Sequence, residues 1–134
     1  MRILLDTSIA IWSICDTQKL PNKYIEQIGD ENNEIFVSIA SVWEIAIKNI
    51  AKPDKIPINE NDFIKYCNQL NFDFLPIKIN HIVNLKQLKF KTNGYIHKDP
   101  FDNIIVTQCM VEKTTLFTSD RKLSNYNYKK IVVI

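Results

Sequence analysis

Four acids stand where this sequence could do chemistry: Asp6, Glu44, Asp102 and Asp120. Asp6 closes the apolar run "ILLD" and is followed by Thr7 and Ser8, while Asp120 follows "LFTS", with Thr118 and Ser119 ahead of it. Asp102 lies in "HKDPFDN", directly before the apolar stretch "IIVTQCMV", and Glu44 sits within "SIASVWEIAIK". Two carboxylates about 4 Å apart repel by about 4 kcal/mol at an effective dielectric of about 20. A fold that gathers three or four of them without an available lysine must raise their pKa values or take up a cation. Hard divalent ions such as Mg²⁺ or Mn²⁺ prefer oxygen ligands and keep several waters. A site of that kind suits phosphoryl chemistry, because the metal activates water and stabilises charge on the phosphate.

Each acid also has a purely structural explanation. Asp6 and Asp120 suit the N-cap of whatever helix comes after them. Asp99-Pro100 is a helix start, with Asp99 as cap and Pro100 in the first turn, and Asp102 then falls where its charge favours the helix dipole. Ser41-x-x-Glu44 has capping-box spacing, and Glu44 stands four residues before Lys48, a favourable pair on a helix. Against that, the apolar neighbours Val42, Trp43, Ile45, Ala46 and Ile47 describe a largely buried helix, where an acid needs a partner. Spacing alone leaves caps and cluster both open.

The elements that must position these acids alternate. Residues 2–6, 34–38, 73–77, 115–119 and 130–134 have the apolar runs of buried strands. Helical spacing or cap signals mark 7–16, 22–29, 38–50, 60–71, 80–90 and 100–113. Ser38 or Ser41, Asn59 and Asn80 are the expected caps of the third, fourth and fifth helices. Wholly apolar strands separated by helices indicate a parallel sheet covered on both faces, an α/β/α sandwich of about five strands. In such a sheet ligands bind beyond the carboxyl ends of the strands, where Asp6 and Asp120 would lie.

The 134 residues fit one domain, 1–134, and 46% apolar with 24% charged residues suffices for a real core. Only two glycines, Gly29 and Gly94, are present. That removes glycine-rich phosphate loops and dinucleotide-binding fingerprints. Cys15, Cys67 and Cys109 are far apart and two histidines are available. A structural zinc site is therefore not expected, and buried free thiols are. No apolar run approaches the ~20 residues of a membrane helix, and "MRILLDTS" meets an acid too early for a signal peptide. A cytoplasmic protein without membrane contact is expected. The charge balance, 17 Lys and Arg against 15 Asp and Glu, is mildly basic. Several lysines cluster in 86–98, "KQLKFKTNGYIHK", where Lys89, Lys91 and Lys98 could meet phosphates and Tyr95 or Phe90 a base.

"LLDTS" at 4–8, "VSIASVWEIAIK" at 37–48, "HKDPFDNIIVTQCMVE" at 97–112 and "LFTSD" at 116–120 together resemble PIN-domain ribonucleases. The likeness is greatest to the VapC-type toxins of bacterial toxin–antitoxin pairs, and it runs over essentially the whole chain. It implies a PIN-like fold and a Mg²⁺- or Mn²⁺-dependent endoribonuclease. It places Asp6, Glu44, Asp102 and Asp120 in the metal-binding, catalytic cluster. By the same likeness Thr7, Ser8 and Thr118 are supporting hydroxyls and Asp99 an acid at the rim. It implies an RNA substrate, a homodimer, and a cognate antitoxin whose tail covers the helical face and blocks the acids. Arg is common where this chain has Asn103, a departure that would alter a charge pair near the site.

Three other functions compete. A haloacid-dehalogenase-type phosphotransferase needs a second acid two residues after the first, and position 8 is Ser. A protein-binding module without turnover fits a chain that has lost acids, and this one keeps all four. A DNA-directed nuclease shares the same acids, because they do not themselves sense a 2′-hydroxyl.

Overall fold

A computed structural model describes residues 1–90 and 98–134. Five short strands form one sheet: β1 (Arg2–Leu5), β2 (Glu34–Ser38), β3 (Asp73–Leu75), β4 (Thr115–Thr118) and β5 (Ile131–Val133). All neighbours are parallel, in the order β3-β2-β1-β4-β5. Among the described residues six α-helices accompany them: α1 (Thr7–Cys15), α2 (Asn22–Gly29), α3 (Ile39–Ala51), α4 (Glu60–Gln69), α5 (Ile79–Val83) and α6 (Pro100–Glu112).

Side chains of one strand alternate between the two faces, and both faces are buried here. Ile3 and Leu5 of β1 join Phe117 of β4, Ile9 of α1 and Phe63 of α4 in one core. Leu4 and Leu116, the residues between, join Ile105 and Cys109 of α6 and Tyr126 in the other. That is why the strands read as unbroken apolar runs, and it makes the fold the three-layer α/β/α sandwich expected from the sequence. Among the described residues, no helix is long and apolar enough to cross a membrane.

The expected elements are all present, with corrections at the fifth helix. It spans only Ile79–Val83, followed by a short 3-10 turn at Leu85–Gln87. Asn80 does not cap it. Lys78 occupies that position, and Asn80 lies inside, where its carbonyl and side-chain oxygens accept from the Asn84 amide. The third helix is capped by Ser38, which accepts from the Ala40 N–H at 3.0 Å, and the fourth by Asn59. Ser41 is therefore inside α3, and the Ser41–Glu44 capping box does not form. Nor is α3 buried all round, since Trp43 and Ile47 are exposed. Of the three thiols, Cys67 and Cys109 are buried but Cys15 is exposed near the end of α1.

Candidate active site

The chain runs outward from β1 through β2 to β3, then returns to lay β4 against the other side of β1. The strand order reverses between β1 and β4, and a crevice opens beyond their carboxyl ends at such a switch point. Asp6 is the first residue past β1. It caps α1, with Oδ1 accepting from the Ile9 N–H at 2.9 Å, while the Thr118 hydroxyl at the end of β4 donates to Oδ2. Both carboxyl oxygens are thus fixed, and the residue is only 5% exposed. Burial pushes the Asp6 carboxyl up to about 7; its two hydrogen bonds oppose the shift, and the charges of Asp102 and Glu44 add to it. The charges of two acids from two other segments are therefore felt at Asp6.

Glu44 is buried on α3 and doubly held. The Thr7 hydroxyl donates to Oε1 at 2.7 Å and the Lys48 ammonium to Oε2 at 2.7 Å. Because Thr7 spends its proton on Glu44, the 2.8 Å contact between Thr7 and Ser41 has Ser41 as donor. Ser41, whose spacing suits a cap, is thus a site residue. Asp102 is half-buried in the first turn of α6, where Asp99 sets the helix start by accepting from the Phe101 N–H at 2.9 Å. Asp120 stands apart from this trio. Its N–H donates to the Thr118 hydroxyl at 3.0 Å, and its Oδ1 caps the next turn by accepting from Lys122 at 2.9 Å. Thr118 is thereby the link between Asp6 and Asp120. Ser8 is exposed on the first turn of α1. Lys89 and Lys98 are exposed, whereas Lys91, Tyr95 and His97 lie outside the described residues.

Gln108, fully buried on α6, carries no signal of its role in the sequence pattern. It accepts from the Ser38 hydroxyl at 2.5 Å and donates to the Pro76 carbonyl at 3.2 Å, joining α6 to the ends of β2 and β3. Asn103 is tied down from another side, its side-chain oxygen accepting from the hydroxyl of the fully buried Tyr126. An Asn103→Ala variant leaves that hydroxyl without this acceptor and should lose about 1–3 kcal/mol of stability, read from urea unfolding. Tyr126→Phe in the same background should recover part of the loss, because it removes the hydroxyl that has lost this acceptor.

Among the described residues, no three His, Cys, Asp or Glu side chains form a ready metal cage. The donor set nevertheless suits a hard cation. It is all oxygen, and Mg²⁺ commonly takes one or two carboxylates and fills its shell with water. Asp6, deep in the protein and within reach of the Asp102 charge and the Lys48-paired Glu44, is the carboxylate a cation would stabilise most.

Fold and site together define an open parallel α/β protein with a buried aspartate, Asp6, at the topological switch point. The chain belongs to the PIN-domain family: the family's domain model matches residues 3–128. It is similar in fold to the structure of VapBC2 from Rickettsia felis bound to a DNA fragment from their promoter. That match has a TM-score of 0.76 and 16% identity, over 100% of this chain and 99% of the other. It is also similar to VapBC-1 from nontypeable Haemophilus influenzae, with a TM-score of 0.60 and 15% identity over 93% and 90% of the two chains. A domain of a functionally unknown protein from Methanocaldococcus jannaschii gives a TM-score of 0.58 and 14% identity over 99% and 90%. No curated protein matches the chain.

Proposed function

We propose that the chain is a Mg²⁺- or Mn²⁺-dependent endoribonuclease acting in the cytoplasm as the toxin of a toxin–antitoxin pair. The observation that carries this reading is buried Asp6, fixed at the switch point of a PIN domain next to the Thr7 that holds Glu44, with the Asp102 and Glu44 charges felt there. The toxin assignment is supported by the fold neighbours named VapBC.

Asp6 and Asp102 are the proposed metal-holding pair. The metal, when bound, supplies a Lewis acid that neutralises charge on the phosphodiester and makes a bound water more acidic. The Thr118 hydroxyl and the Ile9 N–H keep Asp6 from turning away as substrate arrives. Thr7 and Lys48 hold Glu44 at the rim, where its carboxylate orients water. Asp120 supports Asp6 at one remove, through Thr118. The attacking water enters in line with the departing 3′-oxygen, so hydrolysis leaves a 5′-phosphate and a 3′-hydroxyl. An antitoxin that presents Arg to the same carboxylates would silence the site, since guanidinium pairs with carboxylate in a bidentate way.

The test is a mixed RNA pool incubated with wild type or Asp6→Asn, in Mn²⁺, Mg²⁺ or EDTA, beside single-stranded DNA of matched sequence. Defined RNA fragments only with wild type and metal are expected. Cleavage of DNA alone would redirect the activity to DNA. No cleavage with metal still bound by calorimetry would leave a binding module.

The homodimer belongs to the same proposal, and α3 supplies a surface for it. Ile39, Trp43, Ile47 and Ile50 are exposed at helical spacing along α3, and Ile79, Ile82 and Val83 are exposed on α5. Both helices pack against α6. Apolar surface of this kind marks an association site. Wild type should run in light scattering at twice the 15.7 kDa chain mass, and Trp43→Asp with Ile79→Asp should run as the single chain.

A further inference from the structure

Beside the acids lies a cleft of about 380 Å³ that no part of the proposed chemistry yet uses. Its lining combines Thr7, Ser8 and Glu44, which border the acids, with Trp12, Lys48 and Lys55. Lys19 also faces this cleft, its ammonium 5.4 Å from the centre of the Trp12 ring. An adjoining hollow shares Lys48, Lys55 and Ile56 and adds Lys52. Across the two, four lysines face two acids, Asp16 and Glu44. Lys48 is bonded to Glu44 and Lys19 lies 3.5 Å from Asp16. Lys52 and Lys55 make no ion pair among the described residues and are exposed.

The chemistry of this lining fits one kind of ligand. Ammonium groups along a groove neutralise backbone phosphates, and the half-buried Trp12 indole can exchange the exposed Lys19 ammonium over its ring for an unstacked base. A paired base cannot reach such a face, so the ligand is single-stranded. Thr7 and Glu44 belong to the cleft and to the acid site alike, which makes the two continuous. We propose that this cleft carries the single-stranded nucleic acid adjoining the bond to be cut, with Lys52 and Lys55 on its phosphates and Trp12 against a base. The inference rests on the nuclease reading and adds the strand's path to it. It places a recognition surface on α1 and the segment after α3, in addition to the lysine-rich stretch 86–98.

The experiment measures binding of a fluorescent single-stranded RNA in EDTA, which stops turnover, across ~50–200 mM salt. Wild type, Lys52→Ala/Lys55→Ala and Lys52→Arg/Lys55→Arg are compared at equal thermal stability. The alanine pair is expected to bind about fivefold more weakly per lysine. Its plot of log affinity against log salt should flatten by about 0.7 for each phosphate that is no longer neutralised. The arginine pair should restore both. Cys15 also lines the cleft and is exposed, whereas Cys67 and Cys109 are buried. Bound RNA should therefore slow maleimide labelling of Cys15 several-fold. An alanine pair with wild-type affinity and slope, or Cys15 labelling unchanged by RNA, overturns the cleft and leaves the nuclease reading intact. If wild type neither binds nor cleaves RNA, the nuclease reading itself is overturned.

Discussion

Asp6→Asn and Asp102→Asn should each lower RNA cleavage by about 10³-fold or more, the rate equivalent of about 4 kcal/mol of transition-state stabilisation. Neither should unfold the protein. Asn at position 6 keeps the side-chain oxygen that accepts from the Ile9 N–H, and so retains the cap of α1. It also removes a buried negative charge that Glu44 and Asp102 oppose. Its NH2 group cannot accept from the Thr118 hydroxyl as Oδ2 does, which offsets that gain, so melting without metal should stay near that of wild type. Mn²⁺ should raise the melting temperature of wild type, because a ligand that binds only the folded state stabilises it, and should not raise that of Asp6→Asn. A variant that cleaves at the wild-type rate would remove Asp6 or Asp102 from the chemistry. Loss of cleavage with an undiminished metal shift would assign the residue to substrate rather than metal.

The contrast among the acids arises from where each sits in the strand-to-helix junctions. Asp6 and Asp120 each cap the helical turn beyond their strand, so the structural explanation and the chemical one hold together for Asp6. The difference is the second oxygen. Asp6 has one oxygen on the cap and the other on Thr118, deep beside two more acids. Asp120 is half-exposed and is joined to Asp6 through that same threonine. Asp120→Asn keeps the cap acceptor toward Lys122, and its effect on cleavage should be the smallest of the four.

Much of this architecture is legible in the residues. Apolar runs such as "ILL" and "LFT" are long enough for a strand and too short for a helix, and they are apolar throughout because both sheet faces are covered. The starts of α4 and α6 are legible for a local reason, since Asn59 and Asp99 act on N–H groups two or three residues away. The illegible part is long-range. Thr7 meets Glu44 across 37 residues, and Ser38 meets Gln108 across 70. Nothing in the spacing of Ser41 distinguishes a cap from a donor to Thr7. The exposure of Trp43 is hidden for a related reason. An apolar helix face intended for a partner has the same sequence pattern as one intended for the core.

The fifth helix departs from its expected bounds because a tertiary contact overrides its local signal, and that contact predicts a large stability effect. His81 is fully buried at a 2.8 Å bond to Glu112 of α6. Its Nδ1 lies 2.9 Å from the Lys78 N–H, which can only donate, so Nδ1 accepts and Nε2 carries the proton given to Glu112. One imidazole thus begins α5 and fastens it to α6. His81→Ala strands the Lys78 N–H, frees Glu112 of its closest partner and opens a cavity. The expected loss is about 3–5 kcal/mol in urea unfolding, in the range of other large buried deletions. Glu112→Gln keeps an oxygen for Nε2 and should cost less, but it should change the response to acid. The His81 hydrogen bond, followed by the nearby Lys78 and Arg2 charges, holds the Glu112 carboxyl below its ordinary 4.5 against the opposing effect of burial. A depressed carboxyl contributes stability that is complete above the unfolded value and drains away as pH falls through the folded one. Wild type should therefore weaken more steeply than Glu112→Gln as pH is lowered below about 4.5. Parallel curves for the two would mean that the His81–Glu112 contact contributes through packing alone.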